Sequence, residues 1–467
     1  MAQRFFTPQQ LQHWAKEEPA RLLAAALTQV GQLQQRAQQL KEARARIGEL
    51  ESLLQSAQQA SFRQAAPFRV AQQKRCAAPK RPGRKAGHPG ACRARPAQID
   101  QEITVELSAC PQCGAQQWID QEEIEQFIEE IPKMRPLVTR LRTYQATCAC
   151  CGESTSTRHP LQVSQATGAA AVQLGPRALA IAADLNKAKG LPMRKTCAVL
   201  QDHFGLRLTP GGLSHALARV AARVEPQYAR IGQELLQAPA LHVDETSWWL
   251  AGSLCWLWVF THPRGTFYLV DKSRGRGVLE AVLGELFPGV LVSDCLSVYD
   301  IEKGLQQKCY AHHLKAIRDA KEIHPQKGAG FLTEIGTLLK TALALGKEKA
   351  ALPAQEFLDK RQQCNAQADA LLRTPREQTN EESVRNRLFK QRDHLFTFLE
   401  YDGVDATNNL AERQLRPAVI ARKISCGNKT QAGAKTFQVL SSLAATCAQI
   451  GSSFIELIAT AVPINSS

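Results

Sequence analysis

Long apolar runs are missing from this chain of 467 residues. The N-terminal stretch "MAQRFFTPQQLQHWAKEE" has no apolar core of the secretion-signal kind. The Ala-rich stretch from 169 to 185 is broken by Gln173, Pro176 and Arg177. Neither secretion nor a membrane span is therefore expected. Aromatics are scarce at 6%, yet apolar residues reach 44%, which suits a fairly helical globular protein and excludes wholesale disorder. The length exceeds one ordinary core, so several units are expected. Of the fourteen cysteines most stand singly in apolar segments, a pattern of buried thiols in a reducing cytoplasm rather than of a disulfide scaffold.

Acid is absent from residues 61 to 99, which hold ten Lys or Arg. The whole chain carries 58 basic against 43 acidic residues, a net +15. So concentrated an excess attracts a polyanion, and with no membrane signal present that is nucleic acid. Proline and glycine in "KRCAAPKRPGRKAGHPGACRARP" prevent a helix, so residues 61–99 read as a flexible basic linker in which Arg84 and Lys85 would meet DNA phosphates.

Upstream, residues 1–60 read as a helical coiled coil. Leu33, Leu40, Ile47 and Leu54 recur every seventh position, with Val30, Ala37, Ala43 and Leu50 in a less regular register beside them. Residues 100–160 hold "CPQCG" and "CACCG". Cys110, Cys113, Cys148 and Cys151 make C-x2-C twice across 34 intervening residues. Four thiolates suit a tetrahedral structural zinc ion, and each two-residue gap lets one tight turn present two of them. Cys150 could replace Cys151 only with a tighter turn. "MRPLVTRLRTYQAT" between the knuckles alternates as hairpin strands do. Residues 161–238 read as a helical DNA-binding domain. Here "MRKTCAVLQDHFGLRLTPGGLSHALARV" resembles a helix-turn-helix whose second helix carries His215 and Arg219.

After Pro239 the texture becomes α/β. "ALHVDETSWW", "SLCWLWVFTH" and "TFYLVD" read as strands, "GRGVLEAVLGELF" as a helix, and "GVLVSDCLSVYD" as a further strand. A last short strand in "QKCYAHHLKAIRDA" runs into a helix. Asp244 and Asp294 each close a strand, where functional groups of α/β sheets collect. "DATNNLAERQLRP" opens a late helix, with Thr407 or Asn408 as N-cap and Asn408, Glu412 and Arg416 on one face. Taken alone, it is a surface helix with an i, i+4 ion pair. Beside two strand-end acids, Glu412 becomes a third carboxylate, as hard divalent cations require. Arg413, Arg416, Arg422 and Lys423 then lie near to hold phosphates, although Pro417 is expected to kink or end the helix. Trp248 and Trp249 read as core residues or as stacking surfaces. Cys309 and His312 in "KCYAHH" lack two further ligands for zinc on sequence grounds.

"HVDETSW", "VLVSDCLSVYD", "CYAHHLKAI" and "TNNLAERQLRPAVIARKIS" resemble successive blocks of the DDE transposases of bacterial insertion sequences, closest to the insertion-sequence-66 family. The resemblance extends upstream to the zipper-like helix, the "GHPG" element and the four-cysteine zinc domain. It implies an RNase H-like catalytic core over 239–324, a helical insertion over 325–400, and the last catalytic helices and C-terminus over 401–467. It implies that Asp244, Asp294 and Glu412 are catalytic and hold two Mg²⁺ (or Mn²⁺) ions, with His312 ordering the site or touching DNA. The expected partners are double-stranded DNA, a second copy of the chain or more, and small accessory proteins. The expected place is the cytoplasm, at the nucleoid. Asp244 and Asp294 are 50 residues apart, and Asp294 and Glu412 are 118 apart; the second gap accommodates the insertion.

Overall fold

A computed structural model describes residues 8–17, 19–62, 87–88, 90, 92–159, 161–163, 166–300, 304–323 and 329–462. Arg84 and Lys85 lie outside them. The chain divides into two compact units, residues 1–129 and 130–467.

The first unit opens with helices α1 (Pro8–Glu17) and α2 (Pro19–Phe62). The 44 residues of α2 span about 66 Å at 1.5 Å per residue. Gln, Arg, Lys, Glu, Ala and Leu dominate it, all good helix formers, and Gly31 and Gly48 do not break it. Val30, Leu33, Leu40 and Ile47 are between 49% and 63% exposed, so this part of the apolar stripe of α2 has no cover among the described residues of its unit. Farther along, the first cysteine knuckle forms a tight turn. Gly114 N–H donates to the Cys110 carbonyl at 2.9 Å, and Gly114 adopts φ +75°.

The second unit begins with the other knuckle, built the same way: Gly152 N–H donates to the Cys148 carbonyl at 2.9 Å, with φ +73°. It sits within a short antiparallel ladder of β1 (Gln145–Thr147) and β2 (Ser154–Ser156). The alternating pattern expected from Met134 onward yields a paired strand only at these last residues. Leu137 and Val138 are almost fully exposed, and a strand with no layer to bury its apolar face has little to hold it in a ladder.

Helices follow: α3 (Pro176–Ala183), α4 (Met193–Phe204), α5 (Pro210–Arg223) and α6 (Glu225–Leu235). Gly205, at φ +68°, ends α4, and Thr209 caps α5 through its side-chain oxygen. That is the expected helix–break–helix, with His215 and Arg219 exposed on α5. The inner faces of these helices join one core with Leu241, Val243, Trp258 and Phe260 of the sheet that follows.

The sheet comprises β3 (Ala240–Leu250), β4 (Ser253–His262) and β5 (Gly265–Asp271), then α7 (Arg276–Leu283), β6 (Val290–Ser293) and β7 (Leu305–Lys308). Its order is β5-β4-β3-β6-β7. β3, β4 and β5 form an antiparallel meander, whereas β6 lies parallel to β3 and β7 parallel to β6. The crossover through α7 is what a parallel neighbour demands.

Beyond β7 come α8 (Tyr310–Ile323), α9 (Ala329–Glu348), α10 (Ala354–Arg373), α11 (Thr379–Lys390) and α12 (Thr397–Glu400). They share a core with Ala240, Val290 and Val292 of the sheet. Thr397 Oγ1 donates to the Gln306 carbonyl at 2.6 Å, and Phe398 N–H donates to Gln307 Oε1 at 2.9 Å. The segment between the second acid and the last helices thus covers the β7 edge, whose unpaired backbone would otherwise invite a foreign strand.

The chain closes with α13 (Asn409–Ser425), α14 (Gln431–Ile450) and α15 (Phe454–Ala461). α13 continues for eight residues past Pro417. Pro417 and Arg413, whose carbonyl loses its N–H partner, are both exposed. Water can therefore satisfy that carbonyl and the helix need not end.

Candidate active site

The even-numbered residues of β3 share one face of the sheet, because side chains alternate along a strand. On that face Ala240 belongs to the core of the helical segment. Trp248 and Leu250 belong to a second core with Ala411, Leu415 and Ala418 of α13. His242, Asp244 and Thr246 fill the interval between the two cores. The polar centre of the strand therefore marks a gap between two apolar clusters.

Asp294 is brought level with Asp244 by strand register. β3 and β6 pair in parallel as Ala240↔Val290, Leu241↔Leu291 and His242↔Val292. Each acid stands two residues beyond the last pair on its own strand, and adjacent strands are about 4.8 Å apart. Each carboxylate is also held locally: Asp244 Oδ1 accepts from Glu245 N–H at 2.9 Å, and Asp294 Oδ1 accepts from Leu296 N–H at 2.9 Å.

Glu412 arrives on α13, which is fastened to β3 at both ends. At its start Asn408 is fully buried and, although it occupies the cap position, its side chain makes no capping bond. It docks the helix instead. Asn408 Nδ2 donates to the Val243 carbonyl at 2.9 Å, and its Oδ1 lies 3.2 Å from His242 Nδ1. Glu412 sits one turn on, its N–H donating to the Asn408 carbonyl at 3.2 Å. At the far end Asn428 N–H donates to the Trp249 carbonyl at 2.8 Å, and Ala251 N–H donates to the Asn428 carbonyl at 3.0 Å. Gly427 makes that approach with φ +90°; a Cβ there would fall 2.2 Å from the Trp249 oxygen. Arg422 is partly buried and donates to Thr246 Oγ1 at 3.0 Å and to Ser247 Oγ at 2.6 Å. Arg413, Arg416 and Lys423 face outward. No ion pair joins Glu412 to Arg416 among the described residues, so the simplest explanation of that sequence pattern does not apply.

Asp244 feels the charge of the other two acids. The Asp244 carboxyl is pushed up to about 8, first by burial, then by the charge of Glu245, with Asp294 and Glu412 adding to the same effect. A carboxyl in this state holds its proton near neutral pH unless a cation relieves the crowding. Glu245 faces the other side of β3. It is buried, accepts from Arg274 at 2.7 Å and from the Tyr299 hydroxyl, and Arg274 also lies over the Trp256 ring.

Behind Asp294, Lys308 is fully buried on β7. Its Nζ reaches Asp300 Oδ1 at 3.3 Å, Ser293 Oγ at 3.3 Å and the Tyr299 carbonyl at 3.1 Å. Burial holds its ammonium below the ordinary lysine range, while Asp300 and, more weakly, Asp294 oppose that shift. It pins the loop that carries Asp294. Sequence reading missed His242, Asn408 as a docking residue, Glu245 and Lys308. For His242 the available signal was a polar residue between the apolar Leu241 and Val243.

The two histidines of "CYAHH" part company. His313 is buried against Tyr310, and burial pushes it down to about 3. His312 turns to the acids: contact with Cys309 raises its pKa, and Asp294 and Glu412 add to the rise. Cys309, His312 and Glu412 bring a sulfur, a ring nitrogen and a carboxylate oxygen within 4.8 Å of one another. Glu412 was not counted as a neighbour of that pair from sequence. Trp248 is buried against Phe437 and donates to Asn428 Oδ1 at 2.9 Å, whereas Trp249 is 46% exposed.

At each knuckle the first cysteine thiol accepts backbone N–H bonds, and these hold it below the usual thiol range. The donors are chiefly Cys113 for Cys110 and Cys151 for Cys148. Cys151 therefore occupies the place in its turn that Cys113 occupies in the other.

No helix among the described residues is long and apolar enough to cross a membrane. No curated protein matches the chain. The family model described as "Transposase IS66 family" matches residues 171–436, more than half of the chain and all three acids. The chain belongs to the IS66 family of transposases.

Proposed function

We propose that the chain is a DDE-type enzyme that cleaves DNA at the ends of its mobile element and joins the freed 3′-hydroxyl to target DNA. The reading rests on the strand register and helix docking of Asp244, Asp294 and Glu412, and on the charge that Asp294 and Glu412 exert on Asp244. Two of them are level on adjacent parallel strands, and the third is on a helix docked to the first strand. The strand order supports an RNase H-like core, with the acids on its first strand, its fourth strand and a late helix.

The residues fit the ions the family resemblance implies. Their donor set is carboxylate oxygen, the preference of Mg²⁺ and Mn²⁺; burial first, then Glu245 and more weakly Asp294 and Glu412 push Asp244 up, and a bound cation would oppose that push. Two such ions, when bound, supply activation of the attacking oxygen and stabilisation of the departing 3′-oxygen. The chain's own residues prepare that site. Asp244 must release the proton that burial keeps on its carboxyl before it can serve as a ligand. Asn408 and His242 fix the approach of α13, and Lys308 fixes the loop after β6. Arg413, Arg416 and Lys423 line the outer face of α13, where they would hold DNA phosphates. Arg422 anchors that helix to β3 and adds positive charge beside them. His312 would order the acids or meet the DNA.

In the same reading Cys110, Cys113, Cys148 and Cys151 hold a structural zinc ion. Arg84, Lys85 and the helix-turn-helix-like pair recognise element ends, and α2 pairs two copies through its uncovered stripe. Small accessory proteins complete the machinery at the nucleoid. A strand-transfer assay with a pre-cut element end tests the proposal. Mg²⁺-dependent joining to a target duplex is expected. Cleavage of intact ends without any joining of pre-cut ones would make the protein a nuclease or resolvase instead.

A further inference from the structure

Cys309 and His312 place a sulfur and a ring nitrogen beside Glu412, a donor set that the Mg²⁺ chemistry does not need. Cys309 ends β7's connection into α8 and is completely buried. His312 lies three residues on, in the first turn of α8, so the two side chains share one face. Glu412 reaches them from α13. The three ligand atoms lie within 4.8 Å of one another.

Two further observations single this cluster out. His312 Nδ1 is buried and makes no hydrogen bond among the described residues, although a buried polar atom normally has a partner. The Cys309 sulfur accepts the Asn408 N–H at 3.2 Å, the kind of backbone bond that orients and stabilises a thiolate ligand.

The geometry points to a site for a borderline transition-metal ion of the Zn²⁺ class, held by the Cys309 sulfur, a His312 ring nitrogen and a Glu412 oxygen. Thiolate and imidazole select such an ion over Mg²⁺, and three protein ligands leave a fourth position open to water. Ligands about 2.1–2.3 Å from a tetrahedral ion stand about 3.5 Å apart. The side chains therefore close by about an ångström on binding, which the partly exposed His312 and Glu412 can do. Occupation draws Glu412 away from Asp244 and Asp294, so zinc opposes the Mg²⁺-supported reaction; this consequence, unlike the site, rests on the proposed function.

The test counts zinc bound by the full chain, by titration against a chromophoric chelator with Zn²⁺ as the only metal added. Cys309→Ser and His312→Asn should each lose one zinc equivalent relative to the parent. Asp244→Asn should lose none, and Cys110→Ser should retain the equivalent that Cys309→Ser loses. Unchanged zinc binding in Cys309→Ser and His312→Asn overturns the site. If Cys309→Ser fails to fold, His312→Asn, whose side chain is only partly buried, decides alone. The count needs no catalytic activity, so its failure is separate from a failure of the transposase proposal. Addition of Zn²⁺ to the parent in Mg²⁺ should lower end cleavage; undiminished cleavage with the site filled overturns the competition for Glu412.

Discussion

In α13, Ala411, Leu415 and Ala418 recur at helical spacing and are at most 6% exposed. In α2, Val30, Leu33, Leu40 and Ile47 recur at similar spacing and are at least 49% exposed. Both helices carry an apolar stripe. One stripe is covered by β3 and positions a carboxylate; the other has no cover among the described residues of its unit. The difference separates a region whose apolar partners lie inside the chain from one left open among the described residues. The proposed function puts chemistry in the first region and assembly in the second.

The largest expected effect lies on the α13 side. Asp294→Asn should lower end cleavage by about a thousandfold or more, since it removes a ligand from a charge-stabilising site. DNA affinity in a gel-shift assay should stay near that of the parent. Loss of binding together with cleavage would mean that Asp294 supports the fold and not the reaction.

Asn408→Ala comes next. It removes the docking bonds of α13 and strands the Val243 carbonyl, a loss on the order of 3 kcal/mol for buried unpaired groups. Thermal unfolding should shift down accordingly. An unshifted melting curve would show that α13 is held by its apolar face alone, as α2 would be by a partner.

Leu33→Asp with Leu40→Asp sharpens the other half of the comparison. The double substitution should lower the oligomeric mass in sedimentation and leave the melting of the second unit within experimental error. A monomeric parent would remove the reason for the uncovered stripe.

The remaining effect is on pH dependence. The Asp244 carboxyl keeps its proton in the folded chain up to about 8, whereas in the unfolded chain it ionises near 4. The unfolded state therefore binds fewer protons between those values, and metal-free stability should fall as pH rises through that window. In Asp244→Asn this part of the fall should be absent in denaturant titrations at pH 5 and pH 8. Equal slopes in both proteins would mean that Asp244 ionises freely.

How far the sequence could be read follows the same division. Asp244 and Asp294 stood out because each ends an apolar run, a local signal. Glu412 needed the family resemblance, as nothing within α13 distinguishes it from a surface glutamate. The roles of His242 and Asn408 were hidden because they meet across 166 residues of chain. Lys308 gave no signal of its burial, because the helices that cover β7 come later in the chain. Pro417 left a kink or an end of the helix open, and α13 continues past it; whether the freed carbonyl meets water is decided by the packing of α13. α2 was legible as a helix, because good helix formers fill it.

The central claim is that three acids from separate elements share divalent cations. Anomalous scattering from crystals grown with Mn²⁺ tests it most directly. The account predicts manganese peaks bounded by the carboxylates of Asp244, Asp294 and Glu412. Well-ordered carboxylates with no manganese between them, at saturating metal and a pH above 8, would contradict it.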